Sequence, residues 1–92
     1  MSDFLTKLTE LIADRKANPK PGSYTNQLLA DRTTAAQKVG EEATEVVVAA
    51  LAQSDERLIA EMADLIYHGL VLLESRDLHW ADVLAELERR HK

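Results

Sequence analysis

An all-α bundle of four to five helices is predicted by three observations. Apolar residues recur at the three-to-four spacing of helix faces, and no stretch alternates apolar and polar residues as a half-buried strand does. The core material is aliphatic, with one Trp, two Tyr and one Phe in 92 residues, which suits helices better than sheets. An apolar fraction of 46% is enough for one folded domain spanning residues 1–92. A chain this short nevertheless has a high surface-to-volume ratio and a thin core, so the bundle is expected to be completed by dimerisation, as a homodimer or a larger homo-oligomer.

Phe4, Leu5, Leu8, Leu11 and Ile12 share one face of a first helix expected to start near Asp3 and fade by Lys16. Asn18-Pro19-Lys20-Pro21-Gly22-Ser23 then forms the loop. Ser23 is placed to cap a short helix over residues 24–30, and a turn at 31–34 ends in Thr34, which with Gln37 fits a capping box. A third helix follows from about 35 to 52. Lys38, Glu41, Glu42 and Glu45 stand at i, i+3, i+4 and i+7, so they are read as one charged face, beside an apolar stripe of Val39, Ala43, Val46, Val47 and Ala50.

Ser54 or Asp55 is expected to cap a central helix over about 57–75. It is apolar around much of its circumference, with Leu58, Ile59, Met62, Leu65, Ile66, Leu70 and Val71 among others, and is expected to touch both its own domain and a second protomer. Gly69 in its middle costs roughly 1 kcal/mol relative to Ala; a close helix crossing at Gly69, and close approach of a ligand or helix at Gly40, are the expected compensations. After a turn at 76–79, Leu78 is expected to staple onto Val83 across a His79 cap. A last helix, about 80–90, turns Val83, Leu84 and Leu87 inward.

A net charge of −5 provides no broad basic field for nucleic acid. The absence of cysteine removes disulfides and thiolate metal sites. No run is long and apolar enough for a signal h-region or a membrane span, so a soluble, cytoplasmic protein is expected. A phosphate-binding glycine loop, a His-Glu-x-x-His zinc motif and a nucleophile elbow are all missing from the sequence.

An acidic run on a helix is usually a solvated face. Here Glu61 and Asp64, at i and i+3 inside the apolar central helix, make a second acidic pair, and the first three acids repel one another unless a cation sits among them. Four carboxylates without Cys or a helically spaced His pair are hard oxygen donors, suited to Mg2+, with Mn2+ as the alternative. Magnesium is usually completed by phosphate oxygens, which points to a phosphorylated substrate and metal-assisted hydrolysis of a phosphoanhydride. Lys38 is either a phosphate contact or half of a surface ion pair. His68 is read as a hydrogen-bonded polar residue rather than a partner orienting Asp64. Tyr24 is either a core or a ligand-stacking residue. Arg89 and Arg90 are helix-terminal cations that an anionic substrate could also recruit from a neighbouring protomer.

Ser23-Tyr-Thr, Gln37-Lys-Val-Gly-Glu-Glu-Ala-Thr-Glu45, Glu61-Met-Ala-Asp-Leu-Ile-Tyr-His68 and Asp82-Val-Leu-Ala-Glu-Leu-Glu-Arg-Arg-His91 resemble the phosphoribosyl-ATP pyrophosphohydrolases, within the MazG-like all-α NTP pyrophosphatases. The signature of that superfamily, E-x-x-E followed by E-x-x-D, falls on Glu42 and Glu45, then on Glu61 and Asp64. The resemblance implies magnesium-dependent hydrolysis of phosphoribosyl-ATP to phosphoribosyl-AMP and pyrophosphate, the second step of histidine biosynthesis, by a stand-alone, at least dimeric enzyme. It further implies that Glu42, Glu45, Glu61 and Asp64 hold the metal, that Glu41 adds a ligand or orients the water, and that Lys38 binds the polyphosphate. Tyr24, Arg89 and Arg90 are the further candidate substrate contacts. Two rivals remain on the residues alone: a house-cleaning pyrophosphatase of non-standard nucleotides, and a non-catalytic helical dimerisation module.

Overall fold

In a computed structural model describing residues 4–92, the chain forms five helices: α1 (Phe4–Ala17), α2 (Tyr24–Ala30), α3 (Arg32–Ala52), α4 (Asp55–Ser75) and α5 (Trp80–Arg90). The all-α class is as expected. A first-helix start at Asp3 lies outside the described residues.

The loop between α1 and α2 closes through Ser23 N–H donating to the Lys20 carbonyl at 3.1 Å. Gly22 takes φ +80° there, a left-handed conformation that side chains disfavour. Ser23 caps α2 as expected, its hydroxyl accepting from Asn26 N–H at 3.2 Å. The next cap differs from the sequence reading. Asp31, not Thr34, is the N-cap of α3, and its carboxylate accepts from Thr34 N–H at 3.2 Å and from the Thr34 hydroxyl at 2.8 Å. Aspartate is the stronger capping residue, so the helix begins at Arg32, three residues earlier than expected, and Thr34 lies inside the first turn. Likewise α4 starts at Asp55 rather than Arg57, because Ser54 takes the cap, its hydroxyl accepting from Arg57 N–H at 3.2 Å.

The two 21-residue helices α3 and α4 are joined by only Gln53 and Ser54 and form the longest packed pair, an αα-hairpin. Helix α2 packs against both, and α1 packs against α4 and α2. Ile12, Leu28, Ala35, Leu70 and Val71 make the buried cluster, flanked by Leu5, Leu8, Leu29, Tyr67, Leu72 and Trp80. The buried line of α3 is Ala35, Glu42 and Ala49, a seven-residue repeat, while Val47 and Ala50 of the expected stripe are exposed. The charged face is therefore split, with Glu42 belonging to the inward side. Added Cβ atoms at Gly40 and Gly69 meet nothing within 4 Å, so neither close approach occurs among the described residues.

The Cα radius of gyration is 14.2 Å, against about 12 Å for a compact domain of this length. Much apolar surface lies outward: Val47, Val48 and Leu51 (83% exposed) on α3, and Ile59 (69% exposed), Met62 and Ile66 on α4. The apolar breadth of α4 is thus only half used by the described chain.

The turn into α5 is held by charge. Glu74 is buried, and its carboxylate accepts from His79 Nδ1 at 2.8 Å. Lys16 ties α1 to the same corner, donating to the Glu74 carbonyl at 2.6 Å and pairing with Asp77, which stands at φ 60°. His79 is the N-cap of α5, with its N–H donating to Asp82 Oδ2 at 2.9 Å. The Glu74 hydrogen bond and charge raise the His79 pKa above 6.5. Folded His79 therefore binds its proton more tightly than the unfolded chain does, and this contribution to stability is complete below pH 6.5 and lost as pH rises through the raised value. Thermal unfolding should show Tm falling across that window, and His79→Asn should flatten the fall.

Candidate metal centre and active site

The third helix brings Glu42 and Glu45, one turn apart, against Glu61 on the second turn of α4. One carboxylate oxygen from each lies within 4.8 Å of the other two. Glu42 is 6% exposed and Glu61 5%, whereas Glu45 is open to solvent. Two buried acids and one exposed acid thus share a small volume at the mouth of the α3–α4 seam.

Their hydrogen bonding is incomplete. Glu42 Oε2 is buried and has no hydrogen-bond partner, alone among such side-chain atoms of the described residues. A buried carboxylate oxygen without a donor is costly. Its other oxygen faces Lys38 Nζ at 4.0 Å, and that ammonium is closer, 3.2 Å, to Glu41 Oε1. Glu61 Oε2 accepts from Arg57 Nη2 at 2.6 Å. Burial pushes the Glu61 pKa up, the neighbouring Glu45 carboxylate pushes it the same way, and Arg57 opposes both. Hard oxygen donors, mutual repulsion and an unsatisfied buried oxygen are together what a divalent cation relieves, so the residues present fit a magnesium or manganese ion.

The remaining candidates fall at graded distances from this centre. Asp64 is exposed and stands outside the three-carboxylate group, although its charge still raises the Glu61 pKa. Glu41 is exposed and ion-paired with Lys38 at the rim. His68 is buried, its Nδ1–H donating to the Asp64 main-chain carbonyl at 2.7 Å and its Nε2 2.9 Å from the Tyr24 hydroxyl. It is a satisfied polar residue, as read from the sequence, and holds Asp64 by its backbone rather than by its carboxylate. Arg89 and Arg90 both pair with Glu86 on their own helix and are not brought to the cluster. Arg57 was missed by the sequence reading, although its i to i+4 spacing from Glu61 was the available signal.

Five helices that gather carboxylates from both arms of a hairpin, with a lysine beside them, define the class: an all-α protein with a candidate divalent-cation site. The family model Phosphoribosyl-ATP pyrophosphohydrolase matches residues 5–91, and the chain belongs to that family. It is 41% identical to the phosphoribosyl-ATP pyrophosphatase of Methanocella arvoryzae, each chain covered in full. It is 50% identical to the phosphoribosyl-ATP pyrophosphatase of Sulfurisphaera tokodaii over 99% of this chain and 98% of that one. The histidine biosynthesis bifunctional protein HisIE of Pasteurella multocida is 49% identical over 96% of this chain, which spans 44% of that longer protein.

Proposed function

We propose that the protein hydrolyses phosphoribosyl-ATP to phosphoribosyl-AMP and pyrophosphate, with magnesium held by Glu42, Glu45, Glu61 and Asp64. The observation that carries the metal site is the partnerless buried Oε2 of Glu42 inside a three-carboxylate cluster. Family membership supports the substrate. Asp64, one turn beyond Glu61 on α4 and near enough for its charge to raise the Glu61 pKa, is included in the proposed set.

Magnesium bound there supplies positive charge to the phosphate oxygens and makes a bound water more acidic. The chain's own groups do the rest. Lys38, at the rim, places an ammonium beside the polyphosphate, leaving its pairing with Glu41 when the more highly charged ligand arrives. Glu41, so released, is the carboxylate free to orient the water and take its proton. The water oxygen forms a bond to phosphorus and the bridging P–O bond breaks, its electron pair staying on the bridging oxygen, so that phosphoribosyl-AMP and pyrophosphate separate. The exposed apolar face of α3 and α4 is assigned to a second copy, giving a homodimer. Leu51→Glu should shift the sedimentation coefficient from dimer to monomer.

The activity is tested by pyrophosphate release from phosphoribosyl-ATP, ATP and deoxynucleoside triphosphates at equal magnesium. Selective release from phosphoribosyl-ATP is expected. Release from the ordinary triphosphates alone would move the protein to the house-cleaning class.

A further inference from the structure

Between α2 and the start of α3 lies a hollow of about 370 Å³, lined by Tyr24, Gln27, Leu28, Asp31, Thr34 and Lys38. That volume falls in the range of small-molecule sites, roughly 300–1,000 Å³. The metal centre described above does not use it, yet two links join them. Lys38, on the wall of the hollow, reaches within 4.0 Å of Glu42. Tyr24, on the opposite helix, is bonded to His68, which is bonded in turn to the backbone of Asp64.

Tyr24 is held as a fixed platform. The Asp64 carbonyl can only accept, so Nδ1 of His68 carries a proton, and in the neutral ring Nε2 accepts from the Tyr24 hydroxyl. The Tyr24 ring also stacks on Tyr67, with centroids 6.4 Å apart and planes 22° from parallel, and meets His68 edge-on at 5.8 Å. It nevertheless remains 45% exposed. An aromatic ring held by its hydroxyl and two neighbouring rings, yet partly exposed on the wall of a hollow, is suited to stacking on a flat heterocycle.

The hollow is also polar in one direction. Asp31 caps α3 and Lys38 lies seven residues on, about 10 Å further along the axis. Thr34 hydrogen bonds hold the Asp31 carboxyl below its usual pKa, so that end is a fixed anion. A phosphate is repelled there and attracted at the Lys38 end. Hydroxyls and exocyclic amines, in contrast, find acceptors in Asp31, Gln27 and Thr34.

We infer that this hollow is a nucleoside subsite, taking an uncharged purine ring and its ribose against Tyr24 while the phosphate chain leaves past Lys38 toward the carboxylates. The inference rests on the proposed phosphoanhydride hydrolysis for its direction, but the nucleoside contact itself needs no metal. The probes are adenosine and ribose 5-phosphate, titrated without magnesium into the full chain while the tyrosine ring resonances are followed by NMR. Adenosine should shift the Tyr24 ring signals and bind more tightly than ribose 5-phosphate. Tyr24→Ala should weaken adenosine binding by about tenfold or more. Gln27→Trp, a change at an exposed position that fills the hollow, should abolish it with helicity unchanged. Adenosine binding that survives Gln27→Trp, or ribose 5-phosphate binding at Tyr24 as tightly as adenosine, would overturn the inference. If either occurs while pyrophosphate release stays magnesium-dependent, the hollow is wrongly assigned and the metal centre stands. If adenosine binds as described but release needs no metal, the reverse holds.

Discussion

Glu42→Gln should lower pyrophosphate release by at least about 100-fold while leaving the helical content of the protein unchanged. The expected loss follows from what a ligated metal contributes to the transition state, several kcal/mol, with each 1.36 kcal/mol worth a factor of ten. Glutamine has nearly the helix propensity of glutamate and the same shape, so the change removes charge without disturbing α3. Glu42 is the sharpest choice because it is buried within the cluster and has an oxygen with no partner. Glu45→Gln and Asp64→Asn should abolish turnover. The apoprotein of Glu42→Gln should be no less stable than wild type, since one of three mutually repelling carboxylates loses its charge. A variant that turns over at the wild-type rate would remove Glu42 from the site.

Magnesium should raise thermal stability, and the rise should grow as pH increases. A ligand present at 100 times its Kd stabilises the native state by about 2.7 kcal/mol. Each kcal/mol moves the Tm of a domain this small by roughly 4–8 °C, so a rise of about 10–20 °C is expected near saturation. The pKa of Glu61 is raised in the folded state, chiefly by burial and by Glu45. Without metal, folded Glu61 therefore holds its proton more tightly than the unfolded chain, whose value is near 4.5. Its contribution to apoprotein stability is present below pH 4.5 and is lost as pH rises through the folded value. Metal needs the carboxylate, so its stabilisation should grow over that same interval. Calorimetry of wild type with and without magnesium measures both trends, and Glu45→Gln should lose the magnesium shift. An equal Tm with and without magnesium at neutral pH would contradict the metal assignment.

The helices and most of their limits were legible because they are local. The 3.6-residue period of the apolar residues and the Pro–Gly loop at 18–23 suffice to place all five. The misplaced cap shows where local reading is ambiguous. Asp31 and Thr34 are both good N-caps three residues apart, and only the completed turn shows that Asp31 accepts from Thr34. The acids were legible as a set, but their burial was not. Lys38, Glu41, Glu42 and Glu45 share one arc of a helical wheel, and it takes packing against α4 to turn Glu42 inward while Glu41 and Glu45 remain in water. The link from Tyr24 to His68 spans 44 residues and brings two helices together, so no periodicity could reveal it. For Arg89 and Arg90, the helix spacing to Glu86 already offered the pairing that the structure shows.

Manganese binding followed by electron paramagnetic resonance reads the cluster without substrate or turnover. Wild type should bind manganese per chain in a form that magnesium displaces, and Glu42→Gln should weaken that binding by at least about tenfold at unchanged helicity. Manganese bound equally well by wild type and Glu42→Gln would contradict the account, since the three-carboxylate cluster would then not be what holds the metal.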